Sequence, residues 1–551
     1  MSDDEIELLT SPIERRAVSR LFVIGGPLGL AIAIIVSLWV SHLRISDSVI
    51  VQTEPQWIPG ESLALRVQLT PEGPDPAPQA VVTLEVEQGG ERHPLPALAD
   101  VGGGLLQGGV VVPSLTPGPA TLCLHVEASP LPPRDERIEL EIVGQRAPIE
   151  ARHVVSTSMS QYADDSDPQP ETHAIDLRPR GRVLAGFDNE LWLRVTDAKG
   201  RPWSGPAAVR LVDGELGDAR GDAEAPPLVW EGRTDEAGLA SFHGVLSSEV
   251  LRLRVELRDE VDAAKVVAQR QLRLVSFAGA VHLRVDPELS SPGEAVEVLA
   301  AGLSAKRPVF VDVYDANGAW TETFQPPVQG REPPRPWTPP AGREGLLQLE
   351  AYHFTNEPGE STAVARLLVD PRPPAEGAWL RALVERQRAT LSLPRNDRSW
   401  DEARERVYLD TLAARSLGPE AQRSARAWLV GTLPIEVHGP PTVLRTRERD
   451  LAAVLDTKQR WAMGMRIFLL VGGGLFLVAM TILMVRSHAR DAEATLRELQ
   501  KLNEGAEREQ LEAHVHQARR AALLRGLLMI VMMAGGLACA VLLLESFVWD
   551  L

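Results

Sequence analysis

The sequence predicts a multidomain membrane protein with tandem all-β sandwiches, an α-helical stalk, three transmembrane helices and a cytoplasmic helical hairpin. Three observations predict it. Uncharged apolar residues gather in three long runs. Between the first two runs, short alternating stretches recur, punctuated by glycine and proline, of which the chain has 44 and 43. Beyond about residue 370 the apolar period lengthens to that of a helix. The 551 residues suffice for about three or four domains. A hydrophobic share of 44% excludes wholesale disorder. The net charge of −18 argues against nucleic-acid binding, and two cysteines exclude a disulfide scaffold or a Cys-rich zinc module.

Residues 1–20 are expected to form a cytoplasmic N-terminal tail. Residues 21–43 follow, 23 positions without a charge. Residues 467–485 and 526–544 are uncharged runs of 19. At about 1.5 Å per residue, each reaches across a hydrocarbon core of about 30 Å. The first run has a long leader and no small-residue cleavage site, which marks an uncleaved signal anchor. Arg15, Arg16 and Arg20 precede it. Between the second and third runs stand Arg486, Arg490, Arg497, Lys501, Arg508, Arg519, Arg520 and Arg525. The positive-inside rule puts both groups in the cytoplasm and residues 44–466 in the periplasm. Lys458, Arg460 and Arg466 oppose this orientation and are outvoted. Lysine occurs only at 199, 265, 306, 458 and 501, the bias of a GC-rich genome. The expected location is a bacterial inner membrane, crossed more than once.

From Val49 to about Val369 the apolar period is two. Ser62 to Val67, Val81 to Val86 and Thr121 to Val126 alternate cleanly, as strands with one buried face do. Turn residues between such runs suggest sandwiches of roughly 100 residues, at 49–145, 180–276 and 280–370. A repeat runs through them: Pro59-Gly60-Glu61, Ala185-Gly186 and Pro292-Gly293-Glu294 each precede an alternating strand. In the second unit, Asp197-Ala198-Lys199-Gly200 reads as a hairpin turn between two strands. Residues 146–179, with Asp164, Asp165, Asp167, Pro168 and Pro170, read as a solvated acidic linker. The proline-rich stretch 326–340 reads as a long loop.

The run GFDNELWLRVTDAKGRPWSG, followed by GRTDEAGLASF and LRLRVEL, resembles the immunoglobulin-like β-sandwich modules of bacterial macroglobulins and adhesin stalks. The resemblance is strongest over 182–275, looser over 281–369 and weakest over 51–143. It implies strands and turns, not a reaction. The thioester of macroglobulins needs Cys-x-Glu-Gln; Cys123 is followed by Leu-His-Val and Cys539 by Ala-Val-Leu, so that motif is absent.

Residues 375–465 read as the helical stalk. Trp379, Leu383 and Arg386 lie at helical spacing, Ser399-Trp400-Asp401-Glu402 matches a capping box, and another helix follows Pro419. Thr442 to Met465 is charged and helix-prone. Two readings stay open: it runs without a break into the second span and couples the outer region rigidly to the membrane, or it is a flexible tether. Residues 486–525 read as an antiparallel, coiled-coil-like hairpin broken at Asn503-Glu504-Gly505.

No residue pattern earns a site. His514 and His516 stand two apart, so on a helix their rings diverge. The Asp164–Asp167 cluster lacks a calcium loop. Asp235-Glu236 is expected to shape a turn, Gly102-Gly103-Gly104 to form a plain loop, and Cys123 to be buried and reduced. Gly25 and Gly29, Gly472 to Gly474, and Gly535-Gly536 give small helix faces that allow packing within the chain or in a homo-oligomer. The expectation is therefore no catalytic, cofactor-binding or metal residue, and no cofactor. The expected function is non-catalytic binding or scaffolding in the envelope. Expected partners are the lipid bilayer and a protein or envelope polymer, with no nucleic acid. One alternative is a receptor passing a signal from periplasmic binding to the cytoplasmic hairpin. Another is an accessory subunit of a secretion or cell-wall machine.

Overall fold

The computed structural model describes residues 12–45, 47–71, 79–129, 131–155, 167–181, 183–220, 226–262, 264–276, 281–302, 308–325, 335–339, 343–353, 362–370, 378–392, 401–486 and 508–546. The helices are α1 (Pro12–Ser41), α2 (Ala378–Ala389), α3 (Glu402–Ala414), α4 (Pro419–Gly431), α5 and α6 (Arg508–Leu544). Helix α5 opens as Arg447–Ile467, passes a π-helical turn at Phe468–Gly472 and continues to Arg486. The chain divides into two compact units. One is Val49–Thr70 with Asp75–Leu444; the other holds Met1–Ser48, Pro71–Pro74 and Arg445–Leu551.

Three sandwiches make up most of the larger unit. In the first, one sheet orders Thr442–Arg445, Asp47–Thr53, Ser62–Pro71, Leu105–Val111 and Ala99–Gly102. The facing sheet centres on Arg134–Ile142, Gly118–Ala128 and Ala80–Gln88. Leu63, Leu65, Val67, Leu84, Leu122 and Leu140 fill the space between them. The alternating positions read from the sequence thus point inward, each contributing about 1.5–3 kcal/mol by leaving water. The strand Thr442–Arg445 joins this sheet from the far end of the unit, beside the incoming strand Asp47–Thr53. The chain therefore enters and leaves the unit through neighbouring strands.

The second sandwich packs His173–Pro179, Asp188–Asp197 and Leu239–Val245 against Leu228–Arg233, Pro206–Asp213, Val250–Arg258 and Val266–Val275. The Asp197–Gly200 turn differs from the expected hairpin. The strand before it pairs with His173–Pro179 and Leu239–Val245, and the strand after it lies in the opposite sheet. The turn crosses between sheets because Thr234 grips the crossing: its hydroxyl donates to Trp203 O (2.8 Å) and accepts from Gly205 N–H (3.1 Å). In the third sandwich, Val281–Asp286, Val296–Gly302 and Arg335–Trp337 face a five-stranded sheet that includes Phe310–Tyr314, Trp320–Phe324, Gly345–Tyr352 and Ala363–Val369. The repeated turns share a backbone reason: Gly60, Gly186 and Gly293 have φ of 79°, 85° and 80°, a region that side chains disfavour.

Two segments depart from the sequence reading. The expected linker is docked at both described ends. Arg146 pairs with Glu61 at 3.0 Å, and His153–Val155 pairs antiparallel with Ile435–Val437. His173–Pro179 is a strand of the second sandwich; Asp164 and Asp165 lie outside the described residues. The expected stalk is not free-standing. Helices α2, α3 and α4 share one core with the sandwiches: Tyr408, Leu409, Trp428 and Leu429 bury with Trp192, Leu239 and Leu346. Their apolar stripes have too much surface to leave in water. Helix α3 is capped by Asp401, whose side chain accepts from Arg404 N–H; Ser399 lies outside the described residues. Thr442–Arg445 is strand, so α5 begins only at Arg447.

The smaller unit is helical. Ala33, Ala462, Leu469 and Leu544 from α1, α5 and α6 bury together, and Arg466 pairs with Glu545 at 2.5 Å. Leu470, Val471, Leu475, Leu528, Val531 and Met532 remain exposed. The helical stretches Arg447–Arg486 and Gly526–Leu544 are long and apolar enough to cross a membrane; the apolar part of α1, Pro27–Ser41, is shorter. The break at Asn503-Glu504-Gly505 lies outside the described residues, while α6 runs unbroken from the expected hairpin into the third apolar run.

Candidate functional site

The unusual chemistry of the larger unit lies on the outer faces of its sheets. In the strand Ser62–Pro71, Leu63, Leu65 and Val67 enter the sandwich core. Ala64 and Arg66 point the other way and are equally buried, because the third sandwich covers that face. The Arg66 guanidinium bonds Asp312 at 2.7 Å, Thr323 at 2.7 Å and Tyr352 at 2.9 Å. Its Nε donates to Gln107 at 3.1 Å. The group stacks between rings, 5.0 Å from Trp320 and 5.4 Å from Phe310. Burial opposes its charge, yet Asp312 and Tyr352 outweigh that and hold it above its ordinary pKa. Tyr352 in turn donates to Asp312. Arg66 and Asp312 at this junction of the first and third sandwiches thus compensate each other, as a buried ion pair requires, while Gln107 Nε2 and Trp320 Nε1 are buried without a hydrogen-bond partner.

A second arginine joins the second sandwich to the helices. Arg194 shares the outer face of its strand with Trp192. It pairs with Asp176 at 2.6 Å and Glu405 of α3 at 2.6 Å. It lies 4.8 Å from the Tyr408 ring and 5.1 Å from that of Trp428. Burial works against the Asp176 charge, but Arg194, Arg178 and Arg270 overcome it and bring the carboxyl down to about 2. A third, Arg180, bridges Glu190 (2.9 Å) and Glu288 (2.7 Å), tying the second sandwich to the third.

A cleft of about 1000 Å³ opens beside the Arg180–Glu288 pair. The second sandwich contributes Trp192, the third Glu288 and Leu289, and the helices Leu383, Arg423 and Arg426 among others. The site mixes an apolar floor with charge at the rim, the usual make-up of a ligand pocket. Glu288 is held in place by Arg180 and pushed upward by burial. Arg426 is brought down to about 10 by burial and by the like charge of Arg423, against the pull of Glu288. Arg423 is exposed and makes no ion pair with any described residue.

The residues singled out from sequence do not line this cleft. Asp235 shapes its turn as expected, its Oδ1 accepting N–H bonds from Ala237 (2.8 Å) and Leu239 (2.9 Å). Glu236 does more: its Oε2 accepts from Gly418 N–H at 2.9 Å, docking the start of α4. Asp167 accepts from Gln271 N–H on the second sandwich. Gly102, Gly103 and Gly104 form a turn with positive φ. Cys123 corrects its expectation: it lies half-buried on the outer face of its sheet, its thiol directed at Glu87 and unpaired with another cysteine. Inward positions of that strand belong to Leu122 and Leu124, so parity puts Cys123 outside. His514 and His516 fall on α6. Among the described residues, no group of three His, Cys, Asp or Glu is arranged to hold a metal ion. What sequence reading missed is Trp192, Arg194 and Arg66. Their signal is a small or aromatic residue beside arginine on the face opposite a leucine–valine stripe.

Over about 60% of its length, the chain is structurally similar to bacterial alpha-2-macroglobulin and adhesin-repeat modules. With a Salmonella alpha-2-macroglobulin it shares 13% identity at a TM-score of 0.15, over 60% of this chain and 24% of that one. For an Escherichia coli alpha-2-macroglobulin activated by porcine elastase, the values are 13%, 0.15, 59% and 31%. A tetra-tandem repeat from the extending region of a large adhesion protein gives 14%, 0.15, 59% and 75%. The chain spans about a quarter of the length of the Salmonella macroglobulin. No protein-family model and no curated protein sequence matches the chain. The likeness is one of sandwich modules, and no ligand or activity is carried over from it.

Proposed function

We propose that this chain is a non-catalytic, membrane-anchored protein of a bacterial envelope whose sandwich unit binds or scaffolds a protein or polymer. In this reading α1, α5 and α6 supply three spans of the inner membrane, the N-terminus is cytoplasmic, and residues 44–466 are periplasmic. One observation carries it. The incoming strand Asp47–Thr53 and the outgoing strand Thr442–Arg445 are neighbours in one sheet, so two apolar helices are attached at a single edge of the unit. That is the connectivity of a tethered binding domain. We assign the partner to the cleft because the Arg180–Glu288 pair holds part of its wall in place, which lowers the cost of binding. A photo-crosslinking residue at Glu420 is expected to capture one defined partner, with capture lost in Arg423→Glu. Capture that is unchanged by Arg423→Glu, or equal from a control at exposed Val81, contradicts the assignment. Activity of the purified chain that disappears on replacing one carboxylate or serine contradicts the non-catalytic reading.

The receptor alternative draws support from the 40-residue helical stretch Arg447–Arg486, which is long and apolar enough to cross a membrane. Under it, deleting 490–519 abolishes a cytoplasmic response and leaves binding intact.

A further inference from the structure

We infer that Glu350 is a proton-operated latch on residues 436–441, the connector leading through Thr442–Arg445 to α5. Glu350 lies on the outer face of the strand Gly345–Tyr352, between core residues Leu349 and Ala351, and is fully buried. Its carboxylate grips the connector backbone. Oε1 accepts from His438 N–H at 2.7 Å, and Oε2 from Gly439 N–H at 3.1 Å. Gln348 Nε2 donates to Oε1 at 2.8 Å and to Glu436 O at 2.6 Å. Beyond the grip, Thr53 N–H of the incoming strand donates to Pro441 O at 3.0 Å. The latch therefore holds the connector where it meets the sheet that also receives the chain from α1.

The charges around it come from every neighbouring element. Asp312 is its cross-strand partner and repels it, although Arg66 compensates Asp312. Arg366, on the other adjacent strand, is committed to the carbonyls of Leu433 and Pro434. Tyr314 stacks on His438 at 5.2 Å, and Tyr352 is bound to Asp312. Glu436 belongs to the connector itself. Burial also holds His438 below its ordinary pKa, so its own titration favours the lifted connector in acid and opposes that of Glu350.

Burial, only partly offset by the N–H groups of His438 and Gly439, pushes Glu350 up to about 7. When the connector lifts, water reaches the carboxyl and its pKa returns toward the ordinary value of 4.5. The closed form thus binds the proton more tightly. By linkage, Glu350 on its own closes the latch in acid and loosens it in alkali, by up to about 300-fold overall and about tenfold between pH 6 and pH 8.

Hydrogen exchange of the full chain in detergent micelles, corrected for intrinsic rates, reads this directly. With His438→Phe removing the opposing imidazole and keeping a ring against Tyr314, connector amides 436–441 should exchange about tenfold faster at pH 8 than at pH 6 relative to the strand Val250–Arg258. Glu350→Gln should abolish the difference. Gln348→Leu, which removes a donor to the charged form, should move the midpoint upward. A connector with no pH dependence, one whose dependence survives Glu350→Gln, or a midpoint that Gln348→Leu leaves unmoved would overturn the latch.

Discussion

Replacing Arg66 with methionine keeps most of the side-chain volume and removes the charge. Asp312, fully buried, then loses its 2.7 Å partner and keeps only the Tyr352 hydroxyl as a strong donor. Stranding a buried charge in this way costs about 3–5 kcal/mol. The lost stacking on Trp320 and Phe310 belongs to the same sum, since contacts within one network do not add. Equilibrium urea unfolding of the full chain, followed by tryptophan fluorescence, reports it. Trp320, with its ring 5.0 Å from the guanidinium, is a local reporter. The double variant Arg66→Met, Asp312→Leu removes both charges and should recover most of the loss, because a matched apolar pair avoids desolvation. A single variant costing under about 1 kcal/mol, or a double variant as unstable as the single, would refute the view that a compensated charge pair joins these sandwiches.

Glu54 accepts from Trp320 N–H at 2.7 Å and is pushed by burial up to about 7. A raised carboxyl carries no penalty below its unfolded value, a growing one up to about pH 7, and a constant one above. Glu54→Gln should therefore stabilise the chain by up to about 3 kcal/mol at pH 8, and by little near pH 4.5, in unfolding curves taken across that range. Gly200 has φ of +87°, and a Cβ there would meet Arg404 O of α3 at 2.5 Å. Gly200→Ala should cost about 1–3 kcal/mol and speed hydrogen exchange in Glu402–Ala414; unchanged exchange there would show that α3 is not seated on this turn.

Much of the strand pattern was legible because one face of each strand is apolar and period two exposes it. Leu63, Leu65 and Val67, or Leu251, Leu253 and Val255, announce themselves. The second face was not legible. Arg66, Trp192 and Arg194 look like solvent-facing residues on a half-buried strand, and only the packing of module on module buries them. The same blindness made α2 to α4 a stalk: their apolar stripes were visible, but nothing local said that Trp192 and Leu346 would cover them. Turns were found at the right residues, since Gly60, Gly186, Gly200 and Gly293 need their special backbone. Which sheets a turn connects depends on long-range pairing, and so the local sequence of Asp197–Gly200 is that of a hairpin although the turn crosses between sheets. The return of Thr442–Arg445 to the first sandwich is the extreme case, a four-residue strand paired across the whole unit. The cleft inherits this limit, because its walls come from three modules distant in sequence.

The central claim is that the sandwich unit lies outside the cytoplasmic membrane. Cys123, half-buried on an outer sheet face, offers a built-in probe once Cys539 is replaced by serine. In intact spheroplasts, a membrane-impermeant maleimide should label Cys123 without lysis. Labelling that appears only after the membrane is broken would contradict the account.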